Sequence, residues 1–98
     1  MQPELKIKIE QRENLLNRVR KMLISALHLN ASPEELDPET TLFATGLALD
    51  SVDAVVIIVE LEAEFNISIS EEESMLALRT INSLVDLVLI KMKENETV

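Results

Sequence analysis

Apolar positions recur along the first third of the chain at alternating steps of four and three: Leu5, Ile9, then past Arg12 to Leu16, Val19, Leu23 and Ala26. This spacing keeps one side of an α-helix apolar and predicts a helix from about Glu4 to Leu29, with Arg12 as the one polar break in the stripe. Leu5-Lys6-Ile7-Lys8-Ile9 also alternates like a strand. With no second strand to pair it, a helix beginning between Pro3 and Gln11 is favoured, and residues 1–10 are expected to fray. Arg18, Arg20 and Lys21 then form a basic cluster, read as a solvated face or as a balance to acidic residues elsewhere.

The stretch from Asn30 to Leu49 is long for a connection, so it needs anchors of its own. Ser32-Pro33-Glu34-Glu35 has the form of a capping box with Pro at the first helical position, and predicts one short turn ended by Asp37-Pro38. Leu42, Phe43, Leu47 and Leu49 are spaced to drop onto the bundle, and Gly46, the only glycine, is expected to supply a backbone angle other residues resist. A second main helix should run from Ser51 to about Phe65, capped by Asp50, with Val52, Val55, Ile58 or Val59, Leu61 and Phe65 able to cover the core. Asn66-Ile67-Ser68-Ile69 turns the chain inward. Ser70-Glu71-Glu72-Glu73 then opens a short helix toward Leu78, and Thr80 caps a last helix striped by Ile81, Leu84, Val85, Val88 and Met92. Lys91 and Lys93 suit the C-terminal dipole of that helix, and residues 94–98 are expected to fray. The sum is an all-α bundle: three main helices plus one short helix, a long loop between the first and second, and a single domain over residues 1–98.

Charge changes the picture more than composition does. The net charge is −9, but all nine basic residues lie toward the two ends, and from Met22 to Leu78 there are twelve Asp or Glu and no Lys or Arg. Such a segment repels nucleic acid and anionic membrane and attracts a basic protein face; a plain solvated surface is the competing reading. No apolar run approaches the length of a membrane span and the N-terminus lacks a signal-type apolar stretch, so no membrane insertion, a cytoplasmic location and a monomer are expected. With no cysteine, any thiol chemistry must come from an attached group. Metal ligation is not expected: the three adjacent Glu71–Glu73 lack the glycine and ordered ligands of a calcium loop. Nor are catalytic residues, since His28, the lone histidine, suits the end of the first helix and no Gly-x-Ser-x-Gly elbow accompanies Ser51.

The chemistry centres on Gly46 to Phe65, GLALDSVDAVVIIVELEAEF. Asp50 can cap the amide of Asp53, leaving the Ser51 hydroxyl on the first turn, where the helix dipole and free N–H groups favour a phosphate ester. The Asp50-Ser51-Val52 triplet, Gly46 before it, acidic Asp53 and the Leu61-Glu62-Ala63-Glu64-Phe65 ending resemble the acyl carrier protein family, and the resemblance runs from about Leu15 to Met92. It implies an acyl-carrier-like bundle and a protein that is not an enzyme. It also implies covalent 4'-phosphopantetheine on Ser51, placed by a phosphopantetheinyl transferase, whose thiol holds acyl groups as thioesters. The partners it implies are acyl-transferring, condensing or acyl-loading enzymes of fatty-acid, polyketide or specialised lipid synthesis.

The chain departs from the family on the second helix. Common members carry Glu five residues after the modified serine, where this chain has Val56, and Ala63 replaces another frequent Glu. The family also often has Pro where Ser70 stands, and the short helix is about one residue longer here. Val55-Val56-Ile57-Ile58-Val59 is either fully covered by the bundle or exposes Val56 and Val59 as an apolar patch beside Ser51. The expected partner-facing set is Asp50, Val52, Asp53, Val56, Val59 and Glu60. An unmodified helical adaptor that binds through this helix is the alternative function.

Overall fold

The computed structural model describes residues 3–43, 46–47 and 49–96. Its elements are α1 (Pro3–Leu27), a 3-10 turn (Pro33–Glu35), α2 (Ser51–Phe65), α3 (Glu71–Ala77) and α4 (Ile81–Glu96). The all-α bundle with a long first loop is therefore what the chain forms. Met1, Gln2, Thr97 and Val98, where fraying was expected, lie outside the described residues, as does the placement of Leu5's side chain. The backbone is already helical at Pro3 and stays helical to Glu96, past the expected limit near Glu94.

Both long helices before the acidic turns end by the same device. His28 and Asn66 take left-handed backbone angles, φ 55° and 53°, and the following amides, Leu29 and Ile67, bond back to the carbonyls of Ile24 and Glu62 at 3.0 and 3.2 Å. This six-to-one closure satisfies carbonyls that the helix end leaves open. Asn and His tolerate the left-handed region better than most side chains, so His28 serves the fold through its backbone.

Leu15, Val19, Met22 and Leu23 from α1 meet Ile57 and Leu61 from α2 and Ile81, Leu84, Val85, Leu87 and Val88 from α4 in one buried aliphatic core. Leu36 and Leu42 plug it from the long loop, with Phe43, Leu47 and Leu49 packed at its margin. The expected α4 stripe is realised, whereas the α1 stripe is rotated: Leu15 and Met22 are buried, Leu16 and Ala26 sit at the margin, and Ile9 is 41% exposed. Arg12, the polar break, spans to α4, donating to Asp86 at 2.8 Å and to Asn82 at 3.1 Å. Arg18 donates to Glu64 at 3.0 Å and stacks 4.4 Å from the Phe65 ring centroid, while Arg20 donates to the Leu36 carbonyl at 2.8 Å. Two members of the basic cluster thus tie α1 to α2 and to the loop, and the Arg18–Glu64 pair fits the reading of a balance to acidic residues better than that of a solvated face.

The turn at Pro33–Glu35 departs from its expected cap. Ser32 makes no side-chain cap to the backbone; its hydroxyl donates to the Glu35 carboxylate at 3.1 Å. The box at α3 forms in full: Ser70 Oγ accepts from the Glu73 amide at 3.1 Å and Glu73 Oε1 accepts from the Ser70 amide at 2.9 Å. Glu73 also reaches Lys91 of α4 at 2.7 Å, so that lysine pins α3 to α4. Only Ala77 of α3 is buried.

The hydrogen bonds from Lys91 and from the Ser70 backbone hold the Glu73 carboxyl down from its ordinary 4.5 to about 2. The bond to Glu73 in turn raises Lys91 above its ordinary value. A depressed carboxylate contributes stability that is present above its unfolded pKa and lost as pH falls through its folded pKa. Glu73→Gln should therefore lower Tm near neutral pH, with the gap to wild type closing as pH falls from about 4.5 to about 2. Thermal melts across that range check it, and a gap that survives undiminished at the acid end would contradict it.

Candidate functional site

The long loop delivers the chain to α2 through a set of backbone staples. Leu42 N donates to the Arg79 carbonyl at 3.0 Å, Leu47 N to the Thr41 carbonyl at 3.0 Å, and Leu49 N to the Leu42 carbonyl at 2.9 Å. Gly46 sits against Thr41: a Cβ there would fall 2.1 Å from the Thr41 carbonyl oxygen. Its φ is not in the positive range. The glycine is thus required for close approach, which corrects the expectation of an unusual backbone angle.

Asp50 then caps α2, its Oδ1 accepting from the Val52 and Asp53 amides at 3.0 Å each, while Asp53 Oδ2 accepts from the Asp50 amide at 3.1 Å. Ser51 is the first helical residue; it is exposed, and its hydroxyl has no hydrogen-bond partner among the described residues. One expectation changes at this point. The Val52 and Asp53 amides that would attract a phosphate are already bonded to Asp50, and two carboxylates flank the hydroxyl. The site presents Ser51 outward, and the positive end of the α2 dipole is partly offset there by the Asp50 and Asp53 carboxylates.

On the helix that follows, Ile57 and Leu61 are buried, whereas Val52, Val55 and Val59 are exposed by 68%, 63% and 54%. Val52 and Val55 therefore leave the core side on which the sequence allowed them. Val56 is half-buried, so the apolar patch runs Val52–Val55–Val59, one surface line at helical spacing beginning next to Ser51. Of the expected partner-facing residues, Asp50, Val52, Val59 and Glu60 are exposed and Asp53 and Val56 half-buried. Val55 is the residue sequence reasoning missed. Its relation to Val52 and Val59, three residues on and four before, was the available signal. Glu64, near the far end of the helix, is engaged by Arg18.

Two open grooves lie elsewhere. One, of about 640 Å³, runs between α3 and α4 beside Arg12, and another, of about 670 Å³, lies between α1 and α4; neither is lined by a residue of α2. Ser51 lines neither of these grooves, and its exposed position at the start of α2 suits it to accept a group from another protein's active site. No helix among the described residues is long and apolar enough to cross a membrane.

The sequence profile of a family described as Phosphopantetheine attachment site matches residues 17–88. The chain is also 38% identical over 65 residues to an acyl carrier protein of Thermosynechococcus vestitus, an alignment covering 66% of this chain and 78% of that protein. The matched residues take in the whole of α2, α3 and the loop that leads to Ser51.

Proposed function

Because the chain belongs to the phosphopantetheine-attachment family and to its acyl carrier proteins, we propose that Ser51 is the residue that bears the prosthetic group. The protein is a carrier, not an enzyme, and 4'-phosphopantetheine is its covalent prosthetic group. When bound, that group supplies a thiol on a long arm, to which an acyl group is esterified for transport. The chain's own residues do three things. Asp50 and Asp53 fix the start of α2, the Ser51 hydroxyl is held free of internal partners, and Val52, Val55 and Val59 offer an apolar line beside it for docking. The observation that carries the assignment is the exposed, unpartnered hydroxyl on the first residue of a doubly capped helix.

A carrier of this family meets a transferase and acyl-handling enzymes. Our reading is that they are the acyl-loading, acyl-transferring or condensing enzymes of fatty-acid, polyketide or specialised lipid synthesis. The valine line, with Val56 where a glutamate is common, favours a specialised system whose docking site is more apolar. Tethering raises the local concentration of the acyl group at each active site. Incubation with a phosphopantetheinyl transferase and coenzyme A, followed by intact mass and peptide mapping, tests the assignment. Gain of one phosphopantetheinyl group on the Ser51 peptide supports it, and persistent absence of modification would favour the unmodified adaptor.

The docking line has its own test. Val55→Glu places a charge on an exposed helical position, so the fold should survive, but the apolar contact would be lost. We expect KM for the carrier in the transferase reaction to rise about tenfold, the effect of losing roughly 1.4 kcal/mol of docking energy, with kcat little changed. An unaltered KM would remove Val55 from the docking surface.

A further inference from the structure

Thr41 and Leu42 form a short strut between the start of α4 and the chain entering α2. At one end Thr41 pairs with Thr80 in an antiparallel bridge and Leu42 N donates to the Arg79 carbonyl at 3.0 Å. That end is itself fixed, because Ser83 Oγ accepts from the Thr80 amide at 2.9 Å and Thr80 Oγ1 accepts from the Ser83 amide at 3.1 Å. At the other end the Thr41 carbonyl accepts from Leu47 N at 3.0 Å, and the Leu42 carbonyl accepts from Leu49 N at 2.9 Å, directly before Asp50. The Leu42 side chain is fully buried and anchors the strut in the core. One bond in this set comes from a side chain: Thr41 Oγ1 accepts from the Gly46 amide at 3.0 Å. A Cβ on Gly46 would come within 2.7 Å of that same oxygen.

We propose that the Thr41 hydroxyl is a positioning group for Ser51, holding the loop closed so that the serine sits at a fixed offset from the valine docking line. The inference rests on Ser51 being the attachment residue. A transferase docked on Val52, Val55 and Val59 finds the hydroxyl only where the entry to α2 places it, and small displacements of a reacting atom are costly in rate. In the transfer, Ser51 Oγ forms a bond to the phosphorus that bears the pantetheine arm and the P–O–P bond of coenzyme A breaks. The nucleoside 3',5'-bisphosphate leaves, and the serine proton passes to a base of the transferase. Loss of Thr41 Oγ1 would leave the Leu47 and Leu49 staples in place and the exposed Gly46 amide bonded to water. The loop would loosen without detaching, the docking line would be untouched, and the effect would fall on kcat and not on KM.

The experiment measures transferase kinetics by intact mass for wild type, Thr41→Val, Thr41→Ser and Ser51→Ala, each checked for fold by circular dichroism. Thr41→Val should lower kcat about fivefold, the worth of one hydrogen bond, with KM unchanged. Thr41→Ser, which keeps the oxygen, should restore the wild-type rate. Amide exchange at Gly46 should speed up in Thr41→Val and not in Thr41→Ser. An unchanged kcat in Thr41→Val overturns the proposal, as does a Thr41→Ser variant as slow as the valine one, or an effect confined to KM. Modification of Ser51→Ala would instead overturn the attachment assignment itself, so the two failures are told apart.

Discussion

Ser51→Ala is expected to keep its unmodified mass under conditions in which the wild type gains one phosphopantetheinyl group. Its fold should be unaffected, and the reason is local. Capping of α2 belongs to Asp50, whose carboxylate takes the Val52 and Asp53 amides whatever stands between them. The Ser51 side chain is exposed and contributes no hydrogen bond among the described residues, and Ala is a better helix former than Ser. Stability should move by less than about 0.5 kcal/mol. Several other hydroxyls are committed: Ser70 caps α3, Ser74 donates to the Ser70 carbonyl, and Ser83 and Thr80 hold each other at the start of α4. Because the variant keeps its fold, a matching circular dichroism spectrum together with an absent mass shift isolates the hydroxyl. A mass shift in the folded variant would send the assignment to another residue.

The contrast between engaged and unengaged hydroxyls also explains what the sequence could reveal. Caps are local: Asp50 with Asp53, Ser70 with Glu73, and Thr80 with Ser83 lie within one turn, so residue type and spacing sufficed to place the starts of α2, α3 and α4. Ser32 with Glu35 has the same spacing, but Ser32 makes no cap to the backbone of its 3-10 turn. Contacts across the fold were not legible. Nothing in the sequence pairs Lys91 with Glu73 or lays Arg18 over Phe65, because each requires the bundle to bring distant turns together.

Gly46 is an intermediate case. A single glycine before the site signalled a constraint, but whether it answers a backbone angle or a close approach depends on where Thr41 lies. The face of α2 was hidden for a different reason. Val52, Val55, Val56, Ile57, Ile58 and Val59 put apolar side chains on every side of the first turns, so periodicity could not choose among them. Packing made the choice, and it turned Ile57 and Leu61 inward.

That choice predicts opposite outcomes for two truncations on one helix. Leu61 is fully buried, so Leu61→Ala removes apolar atoms from a close-packed core and leaves a void that its neighbours fill only in part, a loss of about 2–5 kcal/mol. In a domain of this size each kcal/mol corresponds to about 4–8 °C in Tm. Val55 is 63% exposed, and Val55→Ala replaces a β-branched side chain on a helix surface with the best helix former. Its stability should stay within about 0.5 kcal/mol of wild type, or rise slightly. Thermal or denaturant melts of the two variants decide the orientation of α2. Comparable losses at Leu61 and Val55 would mean that α2 turns Val55 inward, as the sequence allowed, and would break up the valine line beside Ser51. A large loss at Leu61 with none at Val55 leaves that line free for a partner, since its middle residue then contributes little to the fold that holds it.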